Sequence, residues 1–151
     1  MKVRSVTKNK GKPVITLSPN DSLDQAVALM MEHHIGSLVI IENNEVVGIL
    51  SERDLLTVLH KKYAMWSPLV AKDAMTPTPF TCEPDNTLEE VMNLMVDYNI
   101  RHLPVVYKGH LEGMLSITDI VEELLKKAKF ENKLLKNYIQ NWPDEDAFEK
   151  E

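Results

Sequence analysis

The chain has a single cysteine, Cys82, in 151 residues. That excludes an internal disulfide and any zinc site built from several thiolates. Its five histidines are scattered, the one close pair, His33-His34, points to different sides of a helix, and no His-x3-His spacing occurs. These patterns argue against a structural metal. No apolar run reaches eighteen residues, and no charged segment followed by an apolar one opens the chain. A membrane helix and an export signal are both missing from the sequence, so the cytoplasm is the expected compartment. Positive charge is also in deficit, with 17 Lys and Arg against 23 Asp and Glu, a net charge of −6. Broad nucleic-acid binding needs a basic face that displaces counterions from phosphates. The balance argues against that partner and leaves room only for a local basic patch suited to one small phosphate.

What the chain does have is a globular composition, 44% hydrophobic and 26% charged, and an internal repeat. Ile15–Leu59 aligns on Phe80–Leu124 without a gap at an offset of 65 residues, and twelve of 45 positions are identical, among them Pro19/Pro84, Leu23/Leu88, Gly48/Gly113, Ser51/Ser116 and Asp54/Asp119. A gapless match of that length marks a duplication. Both copies predict the same order of elements. A short extended piece, Val14–Leu17 or Phe80–Cys82, runs into Pro and a polar cluster that stops it. Ser22-x-x-Gln25 and Thr87-x-x-Glu90 have capping-box spacing, and the apolar stripes that follow predict a helix. Ser37–Ile41 and Leu103–Val106 read as buried strands. Asn43-Asn44 and Lys108-Gly109 are turns, and Val46–Leu50 and Leu111–Leu115 complete the hairpins. Ser51-x-x-Asp54 and Ser116-x-x-Asp119 then open a second helix.

The fold class is therefore α/β (α+β), with two β-α-β-β-α repeats packed about a pseudo-two-fold axis. The first repeat covers residues 1–62, and linker plus second repeat cover 63–125. A C-terminal helix extension with an acidic tail covers 126–151. In the linker, Val70–Met75 predicts a helical turn before Thr76-Pro77-Thr78-Pro79 forces extended backbone. The apolar positions Leu124, Leu134, Tyr138 and Trp142 carry the last helix to about residue 141, with Asp144–Glu151 a frayed end.

The motifs Ala74-Met75-Thr76, Arg101-His102-Leu103-Pro104-Val105-Val106, Gly48-Ile49-Leu50-Ser51-Glu52-Arg53-Asp54 and Gly113-Met114-Leu115-Ser116-Ile117-Thr118-Asp119 resemble those of tandem cystathionine-β-synthase (CBS) domains, or Bateman modules. The resemblance covers about Val3 to Glu123. The chain is similar to small stand-alone prokaryotic proteins of that kind. The resemblance implies a regulatory module and not an enzyme, with related nucleotide sites between the copies. Carried over, Asp54 and Asp119 would hold ribose hydroxyls, and Ser51 and Ser116 would contact ribose or phosphate. Thr16-Leu17 and Thr81-Cys82 would line adenine, with Arg53, Arg101 and His102 on phosphate and Ser37, Pro104 and Thr118 completing the lining. AMP, ADP or ATP is the implied ligand, with no catalytic cofactor. NAD(H), S-adenosylmethionine, or a protein–protein module with no bound nucleotide are the alternatives. The resemblance also implies a homodimer, acting on an effector protein the sequence does not name.

The chemistry is sound on its own terms. A carboxylate can accept both hydroxyls of a cis-diol, helix N-termini suit phosphate, and arginine donates in pairs while staying charged. Each residue also has a plainer reading. Ser-x-x-Asp is close to a capping box, Arg101 and His102 fit a solvated strand end, and Cys82 fits a small buried hydrophobe. No nucleophile with an orienting base emerges. Copy one has Gly36-Ser37 where copy two has Arg101-His102. A site leaning on copy one thus lacks those bases unless Arg53 or the Lys8–Lys12 arm compensates, and copy two is expected to dominate binding.

Overall fold

The computed structural model describes residues 1–7, 13–62 and 66–141. The Lys8–Lys12 arm, Trp142 and the acidic tail lie outside the described residues. The chain forms two compact units, Met1–Ile117 and Thr118–Glu151; the described part of the second is helical from Thr118 to Gln140.

The duplication seen in the sequence is reproduced element by element in the backbone. In copy one, β1 (Thr16–Leu17) precedes α2 (Leu23–His33), β2 (Ser37–Glu42), β3 (Glu45–Ser51) and α3 (Glu52–Lys62). In copy two, α5 (Leu88–Asp97), β5 (His102–Tyr107), β6 (His110–Ser116) and α6 (Ile117–Gln140) follow in the same order. The expected Phe80–Cys82 strand shrinks to a single parallel bridge between Cys82 and Val105. The main chain of Cys82 is nonetheless fully used, since its N–H donates to the Pro104 carbonyl at 3.0 Å and the Val106 N–H donates to its carbonyl at 2.8 Å.

Local chemistry explains the ends of each element. The Ser22 hydroxyl accepts the Gln25 N–H at 3.1 Å and starts α2. Thr87 and Glu90 form the full reciprocal box at α5, with bonds of 2.9 and 3.1 Å. That backbone N–H from Thr87, helped by the Asn86 side chain, lowers the Glu90 carboxyl below its ordinary value. Both helices stop in the same way. His34 and Asn99 turn left-handed at φ 53° and 52°, and the next N–H, Ile35 or Ile100, reaches back to the carbonyl of Met30 or Met95. The hairpins turn on Asn43-Asn44 and Lys108-Gly109, all at positive φ. Two such residues in succession give the turn whose twist matches antiparallel strands. Each hairpin has its register irregularity at the same place, Ile40/Ile41 and Val105/Val106.

The sheets differ in completeness. Copy one has four strands in the order β1-β2-β3-β4, where β4 (Thr76–Pro77) comes from the linker and pairs antiparallel to β3. Copy two has the β5-β6 hairpin. The expected helical turn in the linker is α4 (Ala71–Ala74). The expected extended Thr76–Pro79 run is only partly so, because Thr78 sits at φ 42°.

The two short helices dock crosswise. α1 (Val3–Thr7) precedes copy one yet bonds to copy two: Val3 N–H to the Asn86 carbonyl, Arg4 N–H to the Pro84 carbonyl, and Leu88 N–H to the Met1 carbonyl, all at 2.9 Å. α4 precedes copy two yet bonds to copy one through the equivalent atoms, Ala71 N–H to Asp21 at 2.8 Å, Lys72 N–H to Pro19 at 3.0 Å and Leu23 N–H to Leu69 at 3.4 Å. Ala71 joins the core cluster of Leu17, Leu23, Met30, Leu38, Ile40 and Leu50. Val3 and Val6 are buried, as are Leu88, Val91, Met95, Leu103 and Leu115 of copy two. Each fully buried leucine or valine contributes about 1.5–3 kcal/mol relative to its exposed state.

Gly48 and Gly113 mark where these exchanged segments cross the sheets. A Cβ at Gly48 would collide with the Met75 sulfur and lie 3.1 Å from the Thr76 carbonyl oxygen, whereas one at Gly113 would meet only Thr7 Cγ2 at 3.4 Å. Gly48→Ala should therefore cost about 1–3 kcal/mol through overpacking. Gly113→Ala should be close to neutral, because its neighbour is at ordinary contact distance. Urea denaturation of the two variants checks this; equal midpoints would mean that Met75 yields without strain.

Candidate functional site: a polar cleft joining the two copies

A cleft of about 470 Å³ opens between segments of both copies within Met1–Ile117. From copy one it takes Ser51, Glu52, Arg53 and Asp54, where β3 passes into α3. From copy two it takes Asn99, Ile100, Arg101 and His102, at the entry to β5. The linker supplies Thr76, Thr78, Pro79 and Phe80.

Ser51 and Asp54 are locked together. Asp54 Oδ2 accepts the Ser51 N–H at 2.8 Å and the Ser51 hydroxyl at 3.0 Å, and the Asp54 N–H donates to Ser51 Oγ at 3.3 Å. This is a helix cap in full, so the plainer reading of the motif holds for Ser51. Its hydroxyl has given its proton and accepted one bond, leaving one lone pair. Asp54 is only half used. Both bonds fall on Oδ2, and among the described residues Oδ1 receives none. The cap therefore fixes the carboxylate's orientation while its second oxygen stays available to a hydroxyl donor.

The bases come from two places. Arg53 stands in the first turn of α3, and Arg101 precedes β5, held by its carbonyl accepting the Ile117 N–H at 2.8 Å. Neither guanidinium makes an ion pair or hydrogen bond among the described residues. The sequence expectation gave Arg101 and His102 to a copy-two site. They line the same cleft as Ser51 and Asp54 of copy one. The repeat alignment assigned them by position in the chain, whereas the packing presents them to the other copy's motif.

The remaining candidates fall elsewhere. Thr16, Leu17, Ser37, Thr81, Cys82, Pro104 and Ser116 do not line this cleft. Leu17 belongs to the copy-one core, Ser37 is buried in β2, and Pro104 is buried in β5. Thr118 and Asp119 stand in the first turn of α6, in the second unit. An aromatic residue outside the expected set lines the cleft instead. Phe80, which is 45% exposed, lines the cleft and has its ring 4.3 Å from that of Tyr98 at an angle of 33°. An exposed aromatic ring beside bases and a carboxylate offers a surface for a planar heterocycle. Its sequence signal was faint, an aromatic residue facing Ile15 across the repeat. Thr78 adds a strained backbone at the rim. A β-branched residue at φ 42° costs on the order of 1–3 kcal/mol, and it is held by a 3.3 Å bond from its N–H to the Val47 carbonyl.

Among the described residues no cluster of His, Cys, Asp and Glu could hold a metal, and no helix is long and apolar enough to cross a membrane.

With the fold and cleft in place, comparison with known proteins identifies the family. The CBS domain profile matches residues 3–61 and again 71–126. The chain belongs to the CBS-domain family. Each match begins at one of the exchanged helices, so the CBS repeat includes the segment it lends to its neighbour. Among curated relatives, an inosine-5'-monophosphate dehydrogenase of Korarchaeum cryptofilum is 38% identical over 110 residues, 72% of this chain and 22% of that protein. Protein MK0525 of Methanopyrus kandleri is 36% identical over 124 residues, 81% of this chain and 63% of that one. This chain thus spans under two thirds of either relative, and the dehydrogenase is matched over a small part of its length. Among solved structures, the CBS-domain protein ATU1752 of Agrobacterium tumefaciens matches with a TM-score of 0.77 and 31% identity, over 82% of this chain and 98% of that one. CBSX2 in complex with AMP matches at 0.68 and 31%, over 76% and 90%. The CBS pair of protein MJ0100 in complex with 5'-methylthioadenosine and S-adenosyl-L-methionine matches at 0.74 and 26%, over 84% and 98%.

Cys82 provides a test of the site boundaries. Burial pushes its thiol up to about 12, because a thiolate would lose its hydration there. Folded Cys82 should react with iodoacetamide at pH 8 on the order of a thousandfold more slowly than in the urea-unfolded chain, in proportion to the thiolate fraction. Comparable rates would show that Cys82 faces an open cleft.

Proposed function

We propose that this CBS pair is a ligand-sensing regulatory module that binds an adenosine nucleotide, AMP, ADP or ATP, in the cleft between its copies. One observation carries the reading. A carboxylate with one oxygen free of bonds and two guanidinium groups without ion pairs among the described residues converge with an exposed aromatic ring on one cleft. These groups match, in order, a ribose diol, a phosphate and a base. The adenosine ligands in the CBSX2 and MJ0100 structures support the class of ligand. S-Adenosylmethionine shares the adenosine half and is the second reading, favoured by the ligands of MJ0100. No catalytic role is assigned to any residue, and the signal passes to an effector protein.

A ligand that binds only the folded state stabilises it by about 2.7 kcal/mol at a hundredfold excess over its dissociation constant. At least one of AMP, ADP, ATP, NAD, NADH and S-adenosylmethionine should raise the melting temperature. Asp54→Ala should lower affinity roughly ten- to a hundredfold, as expected for a hydrogen bond to a charged group, and by more than Asp119→Ala, because Asp54 shares its cleft with Arg101. No thermal response to any of the six ligands would leave a protein-interaction module as the reading.

The same reading makes the protein a homodimer. Large apolar side chains are exposed at equivalent positions of both copies, Met31 and Val96, Leu56 and Val121, Leu59 and Leu124. A repeated apolar pattern on a duplicated chain suits a partner with two-fold symmetry. Along α6, Phe130, Leu134, Leu135, Tyr138 and Ile139 are also exposed, a stripe that is uncommon in a monomer. Truncation after Lys129 should weaken dimerisation in sedimentation experiments while leaving the nucleotide response intact. Full-length protein that sediments as a monomer at micromolar concentration would rule the dimer out.

A further inference from the structure

The two copies carry opposite charges at one equivalent pair of positions. In copy one the Glu52 N–H donates to the Gly36 carbonyl at 3.0 Å, and in copy two the Ile117 N–H donates to the Arg101 carbonyl at 2.8 Å. The backbone arrangement is the same, but the side chains are Gly36 with Glu52 in one copy and Arg101 with Ile117 in the other. Gly36 has no side chain, and its missing Cβ leaves the space that Glu52 occupies: a Cβ there would collide with Glu52 Oε1. Gly36, Glu52 and Arg101 all line the one cleft. The carboxylate of Glu52 makes no ion pair or hydrogen bond among the described residues.

This places a second carboxylate beside Asp54 in a cleft whose guanidinium groups are Arg53 and Arg101. Leaving His102 aside, the fixed charges balance. A cleft designed around a triphosphate gains from a surplus of bases, and among the described residues this one shows none apart from His102.

We propose that Glu52 is a specificity-determining residue, selecting by charge among adenosine ligands and disfavouring each added phosphate. The inference rests on the nucleotide reading of the cleft. Asp54 Oδ1 meets the hydroxyl donors common to all these ligands, so it does not distinguish between them. Glu52 distinguishes them, because an unpaired carboxylate repels a polyphosphate more strongly than a monophosphate or an uncharged nucleoside. Its position in the first turn of α3 also suits the helix dipole. That role bears on stability alone and is blind to the number of phosphates.

Calorimetric titration of AMP, ADP and ATP in magnesium-free buffer, into wild type, Glu52→Gln and Glu52→Lys, separates the two roles. Glu52 is exposed, so both variants are expected to fold, and a thermal melt checks it. Wild type should bind AMP more tightly than ATP. In Glu52→Gln the affinity ratio should move toward ATP by roughly three- to tenfold, further in Glu52→Lys, and raised salt should shrink the shift. A ratio unchanged in both variants, with nucleotides still binding, would overturn the role of Glu52 and leave the nucleotide reading standing. Absence of binding to wild type and variants alike would overturn both.

Discussion

The crosswise docking of α1 and α4 is the constraint on which the rest of the molecule depends. At the start of each repeat's first helix, main-chain carbonyls and an N–H face inward and need partners, since unpaired buried backbone groups are costly. The segment that satisfies them belongs, in both cases, to the approach to the other repeat. Neither copy is closed by its own residues. The linker is consequently structural along its described length: α4 completes one copy's core, β4 its sheet, and Thr78 to Phe80 reach the cleft. Pulling on this connector would disturb the cleft through bonds the cleft residues do not make themselves.

Within the cleft, the motif serves folding and, in the proposed function, recognition as well. The Ser51–Asp54 cap starts α3 and uses one carboxylate oxygen to do so. Such a cap typically contributes about 1 kcal/mol, and it removes the rotamer freedom that a ligand would otherwise have to freeze. An aspartate already oriented by its own helix is a better acceptor for a diol than a free one. The cap and the proposed ligand contact, which compete at the level of sequence, are compatible once the two oxygens are told apart.

Much of the fold was legible because its signals are local. Capping residues, the paired Asn43-Asn44 and Lys108-Gly109 turns and the β-branched strands each act within a few residues, and the reach of α6 follows from a periodic stripe. The hidden features are tertiary. Nothing in the spacing of Val3 or Ala71 says that each serves the far repeat, and nothing in Arg101 says that it shares a cleft with Asp54. The alignment of copies, so informative for the elements, is silent at that point, because equivalent residues of a duplicated chain need not line the same cleft as their own copy's motif. Phe80 carries no motif that would single it out, whereas its neighbour Cys82 is claimed by the core through both backbone and side chain.

The exchange of helices also orders events in time. Arg4 and its ion-pair partner Asp85 are 81 residues apart in the chain. At translation rates of roughly 5–20 residues per second, α1 waits several seconds for the copy it belongs with. Copy one, meanwhile, cannot close until α4 has emerged behind it. The nascent protein thus holds one unfinished repeat and one unclaimed helix; the arrival of α4 resolves the first, and the arrival of the second repeat resolves the other. The chain's first helix is therefore among the last elements to find its place.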